Sequence, residues 1–150
     1  MSAQKPSAST MQRPSMTRQP LMPSRYVSAS IARSLEDVYR FVSDPRNLPQ
    51  WAAGLAGRIE RVGDEWHADS PLGKIRVRFA HENDLGVLDH DVTLPSGETV
   101  HNPMRVMPNG VGSEVVFVLF RRPGVSDAEF ERDAEAVTRD LETLKRLLER

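Results

Sequence analysis

The chain has 150 residues, 39% of them apolar, enough for one domain with a substantial core. Its 20 basic and 21 acidic residues nearly cancel, which argues against a nucleic-acid partner. The lack of cysteine excludes disulfides, thiol nucleophiles and thiolate metal sites, and no apolar run approaches the roughly 18 residues of a membrane span.

Residues 1–24 are rich in Ser, Pro, Gln and Met, and Pro6, Pro14, Pro20 and Pro23 forbid a continuous helix. Lys5, Arg13 and Arg18 without any acid resemble a transit peptide in composition, but such peptides form amphipathic helices and this segment cannot. The expectation is a disordered tail over 1–24 and one domain over 25–150.

Order is predicted from Tyr26, where Val27, Ala29 and Ile31 alternate with Ser28 and Ser30 as in a half-buried strand. Ser34 reads as the N-cap of a short helix whose apolar face is Leu35, Val38, Phe41 and Val42, and Asp44-Pro45 stops it. Asn47 reads as the cap of a second short helix carrying Leu48 and Trp51, ended by Gly54. Strands then follow over 58–62, 65–68, 74–79, 87–93, 99–107 and 114–120, for about seven in all. Short connections make sequence neighbours antiparallel partners. Ser126 and Glu129 form a capping box, and Phe130, Ala134, Val137, Leu141, Leu144 and Leu148 give the long C-terminal helix one apolar stripe. The class is α+β, with that helix covering the apolar face of a curved antiparallel sheet.

The turn Pro95-Ser96-Gly97 fixes a register. A type I turn closed by a left-handed glycine sets Leu94 opposite Glu98, Val92 opposite Val100, His90 opposite Asn102 and Leu88 opposite Met104. The inward face then reads Leu88, His90, Val92, Val100, Asn102, Met104. Placing the apolar residues of 74–79 on the same face pairs Phe79 with Leu88, Val77 with His90 and Ile75 with Val92. That register sets Arg78 beside Asp89 and Arg76 beside Asp91 on the solvent face. The strand at 114–120 is apolar on both faces, so its inward side stays open.

The segment Phe41-Val42-Ser43-Asp44-Pro45-Arg46-Asn47-Leu48-Pro49-Gln50-Trp51 resembles the helix-pair phrase of the START-like, polyketide cyclase/dehydrase (SRPBCC) superfamily. The element order from about residue 26 onward is similar too. The resemblance implies a helix-grip fold, with the C-terminal helix on the concave face of the sheet and a cavity between them. It covers cyclases, lipid or hormone carriers, quinone-binding proteins and co-chaperone-like modules, so activity stays open.

His90 and Asn102 are the sharpest polar pair on the inward face. Either they orient a carbonyl or phenol-like group, with His90 moving a proton, or they bond each other and pin the register. Trp51, Phe79, Leu88, Val100, Met104 and Phe130 complete the candidate ligand-binding set. No carboxylate on that sheet face supports His90, because Asp89 and Asp91 point outward. His90 is thus a weak catalytic candidate, with Asn102 its only helper. His67, His81, His90 and His101 lie on separate strands or loops without metal-ligand spacing, so neither metal nor cofactor is expected.

The leading expectation is a cytoplasmic monomer or homodimer that binds a small hydrophobic molecule, ring-containing or acyl. A cyclase or aromatase-dehydrase using the same cavity is the alternative. An interaction or co-chaperone-like module is the third reading, and the sequence marks no large exposed apolar patch for it.

Overall fold

The computed structural model describes residues 20–55 and 57–150. The predicted tail lies outside the described residues as far as residue 19. Strand β1 (Ser24–Ile31) begins two residues earlier than the alternation predicts, because Ser24 and Arg25 pair with Phe120 and Leu119. Two short helices follow, α1 (Leu35–Val42) and α2 (Leu48–Trp51), separated by a 3-10 turn at Pro45–Asn47.

Ser34 caps α1 by accepting from the Asp37 amide at 3.2 Å. The turn before α2 is capped by Asp44, which accepts from the Arg46 amide at 3.0 Å. Asn47 makes no side-chain cap to α2. Its amide donates to the Phe41 carbonyl at 2.9 Å, which ties the two helices together.

Among the described residues, eight strands form two antiparallel sheets. One has the order β1-β8-β7, with β7 at Met104–Asn109 and β8 at Gly112–Phe120. The other runs β2-β3-β4-β5-β6: Ile59–Val62, Glu65–Ser70, Gly73–Phe79, His90–Thr93 and Thr99–Asn102. The single strand predicted over 99–107 is therefore two, broken at Pro103, which has no amide to donate to a ladder. The Met104 amide beyond the break is satisfied by the Asp89 carboxylate at 2.9 Å.

Across the 95–97 turn the predicted pairing is present: Val92 opposite Val100, His90 opposite Asn102, and the Leu94 amide donating to the Glu98 carbonyl at 2.8 Å. The register against β4 is corrected by two residues. Phe79 faces His90 and Val77 faces Val92. The reason is that residues 86–88 leave β4 and lie along β7, with Leu88 N donating to Met104 O and Val106 N to Gly86 O. A two-residue shift keeps every side chain on its face, so the inward set survives while the charge partners change. Arg78 now faces Asp91, Arg76 reaches Glu65, Asp89 pairs with Arg105, and Asp91 with His101.

The inward side of β8, open in the sequence, is Ser113, Val115 and Phe117, all buried. Helix α3 (Asp127–Leu148) begins with the predicted capping box complete in both directions. It packs on β1 and β8 and touches α2. Lys145 donates to the Ser30 carbonyl, Arg33 to the Leu148 carbonyl, and the Ala32 amide to Glu149, so the last turn is anchored to the end of β1. Every predicted stripe residue is buried except Val137, which is half-buried.

Candidate functional site

Val137 stays partly open because there is space beneath it. Between α2, the middle of α3 and the inner faces of β4, β5 and β8 lies a cavity of about 190 Å³. Its walls are apolar, with Leu48, Ile75, Val77, Val92 and Phe117 among them, and three polar side chains join them: Trp51, His90 and Asp140. A groove of about 540 Å³ adjoins it, between β6, β8 and α3, and Phe117 and Val137 line both spaces. The groove follows from the break at Pro103. From Met104 onward β7 pairs with β8, whereas on the other side of the break the ladder with β8 stops at one bond, Val118 N to Pro103 O.

His90 is 8% exposed. Its ring stacks on Phe79, with centroids 4.9 Å apart, and meets Phe117 edge-on at 5.8 Å. Nδ1 lies 3.0 Å from the Leu88 carbonyl, so it carries the proton and Nε2 is the acceptor. Burial away from water pushes the imidazole pKa down, and the ring is neutral at physiological pH. Trp51 is 5% exposed, and its indole Nε1 has no hydrogen-bond partner. Asp140 accepts from the Ala53 amide at 3.1 Å, which ties α3 to the chain leaving α2, and burial raises its carboxyl pKa.

Residues 22–149 match the family described as polyketide cyclase/dehydrase and lipid transport. The chain belongs to this family. Solved structures of the same fold include XoxI from Bacillus cereus, at 18% identity and a TM-score of 0.66, over 85% of this chain and 96% of that one. The Aha1 dimer from Colwellia psychrerythraea gives 15% and 0.67, over 85% and 97%. DynU16, a protein of the dynemicin biosynthetic locus, gives 18% and 0.65, over 84% of this chain and 47% of its own. At these identities the likeness is one of fold. Among curated proteins, none matches the sequence. Among the described residues, no helix is long and apolar enough to cross a membrane.

Within this polyketide cyclase/dehydrase domain the eight ligand-site residues named from sequence fall into separate groups. Trp51 and His90 line the inner cavity. Val100 and Asn102 line the groove. Phe79 backs the His90 ring without lining either space. Leu88 and Met104 are fully buried in the core between the sheets. Phe130 is buried at the first turn of α3 beneath the Arg25 guanidinium, 5.5 Å from its ring centroid. His90 and Asn102 sit across from each other, yet make no mutual hydrogen bond. The Asn102 amide is 3.5 Å from the Val100 carbonyl, and His90 bonds Leu88.

Asp140 is the residue the sequence reading did not reach. It follows Val137 by three and precedes Leu144 by four, which puts it on the flank of the apolar stripe. A search for polar groups on the sheet alone passes over it.

Proposed function

We propose that this domain is a binding module that holds a small hydrophobic molecule in the cavity between α2, α3 and the sheet. The observation that carries this reading is the cavity itself, whose walls are apolar except where Trp51, His90 and Asp140 reach them. An apolar hollow with a few polar groups is the usual make-up of a small-molecule site. The family description, which includes lipid transport, supports the same reading. Native mass spectrometry of gently purified protein should show a population heavier than the bare chain, with the extra mass lost on mild activation. Bare protein alone, with no saturable site for hydrophobic dyes, would end the carrier reading.

One observation favours an enzyme of the cyclase or dehydrase kind as the second reading. His90, held neutral, can take a proton, and Asp140, whose pKa is raised, can give one, and both line the same space. A carboxyl kept there for chemistry costs stability. Its folded pKa lies above the unfolded value, so ionisation is resisted in the fold and stability falls as pH rises through that folded pKa. Asp140→Asn keeps an acceptor for the Ala53 amide. It should raise the urea midpoint at pH 7, with the advantage vanishing below about pH 4. Gained stability together with lost turnover of a model poly-ketone would mark Asp140 as a chemical group. Equal turnover in both proteins would leave only the carrier.

A further inference from the structure

Strand β8 is apolar on both faces, and only one of them meets the core. Ser113, Val115 and Phe117 point inward, which leaves Val116, Val118 and Phe120 on the outer face. We infer that this outer face of the β1-β8-β7 sheet is an interface, and that its partner is a second copy of this chain. The inference goes beyond ligand binding and does not depend on it.

The register lays the surface out. Tyr26 stands opposite Val118, Ser28 opposite Val116 and Ser24 opposite Phe120, while Arg105 and Met107 of β7 lie beside Val116 and Glu114. Tyr26 is 73% exposed, and Met107 and Phe120 are exposed as well. The other sheet shows an outer face whose neighbour is water. On β3 and β4 the outward residues are Glu65, His67, Asp69, Lys74, Arg76 and Arg78, each of them charged or titratable. Two outer faces of one domain with opposite character call for different surroundings.

Charge decides what kind of partner fits. The two charged groups on the patch are already engaged within the chain, Arg105 with Asp89, and Glu114 with the Ser30 hydroxyl and the Asn109 amide. Among the described residues of this face, no cation is left for a phosphate-bearing surface and no anion for a basic partner. A neutral apolar face is its own complement, and a net charge of -1 sets up little repulsion between two copies.

Shape points the same way. Tyr26 rises between Ser24 and Ser28, whose small side chains leave a hollow on either side of it. A two-fold axis through the patch sets each copy's Tyr26 over the other's Ser28 and Val116, so knob and hollow are filled together. The patch is nevertheless small. Three strands about 4.8 Å apart, with about 3.3 Å of rise per residue from Ser24 to Ser30, give a footprint of about 10 by 20 Å. That is well under the roughly 800 Å² per partner of a standard interface. The dimer is therefore weak and reversible, and forms at high protein concentration.

Sedimentation velocity on the full chain tests this. From about 5 µM to about 500 µM the mass should climb from the 16.8 kDa of one chain toward twice that value. Raising the salt should leave the association intact or tighten it, because apolar burial drives it. Val118→Lys sets like charges against each other across the axis, and Tyr26→Ser removes the knob. Each should weaken association about tenfold or more, while Lys74→Glu, on the outer face of the other sheet, changes nothing. Where a variant does not fold, wild-type amide spectra recorded on dilution decide. Resonances should move along residues 24–30 and 114–120 and stay fixed along 65–78. A chain that stays monomeric throughout overturns the inference. So does an association that salt dissolves, or one that Val118→Lys and Tyr26→Ser leave untouched. Flotation of the wild type, but not of Val118→Lys, with phosphatidylcholine vesicles would assign the face to a lipid surface and overturn it too.

Discussion

Replacing Gly86 by alanine should destabilise the domain by about 3 kcal/mol or more. Gly86 has φ +71°, and a Cβ built there would lie 2.1 Å from the Val106 carbonyl oxygen. The obstacle is backbone, so no side chain can swing away to relieve it. The left-handed conformation alone costs a non-glycine residue roughly 1–2 kcal/mol. The rest comes from prying residues 86–88 off β7, which strains the bonds from Val106 N to Gly86 O and from Leu88 N to Met104 O. Leu88, Met104 and Val106 are all nearly inaccessible to water, so the displacement reaches the core at once. Gly124→Ala is the control. Its φ is +84°, and nothing lies within 4 Å of an added Cβ. Urea denaturation should show Gly124→Ala losing only the conformational term and Gly86→Ala clearly more. Equal losses would mean that the contact with Val106 is not tight.

The same segment shows where sequence reasoning stops. The inward face of β5 and β6 was legible because the Pro95-Ser96-Gly97 turn sets the register locally, over a few residues. The pairing of β4 with β5 was not. Residues 80–89 intervene, and apolar pattern and charge fit equally well at two registers that differ by an even number. Only the tertiary contact of Gly86 with Val106 distinguishes them. The C-terminal helix was legible to its capping box, since Ser126 and Glu129 act within one turn. Trp51 and His90 were legible as candidates because each breaks an apolar context, and both line the inner cavity. Asp140 was not, because its role depends on which flank of α3 faces α2, and no periodicity specifies that. The split at Pro103 was written in the sequence as a proline within a strand, yet its consequence, a groove between β6 and β8, needed the third dimension.

Asp89→Ala should cost about 2–3 kcal/mol near neutral pH. Asp89 is the residue that makes the broken strand tolerable. Its side chain is 19% exposed and accepts from the Met104 amide at 2.9 Å, while Arg105 closes on both carboxylate oxygens, Nε at 3.0 Å and Nη2 at 2.9 Å. Most of the loss is the amide left without its acceptor, on a residue that is itself fully buried. The ion pair adds less, since Arg105 is half exposed. Asp89→Asn keeps an oxygen for the amide and should therefore cost only about 1 kcal/mol.

The dependence on pH separates the two contributions. The Arg105 guanidinium, followed by the Met104 amide, holds the Asp89 carboxyl below its ordinary pKa. With the folded value depressed, its stabilisation is complete above the unfolded pKa of about 3.9 and drains away as pH falls through the folded one. Wild type and Asp89→Asn should therefore differ in urea midpoint at pH 7 and converge below about pH 4. Asp89→Ala should stay less stable than both in acid, because protonation of a carboxyl does not remove its carbonyl oxygen. Should Asp89→Ala and Asp89→Asn be equally stable at every pH, the amide of Met104 would be finding another partner. The bend that opens the groove would then owe nothing to Asp89.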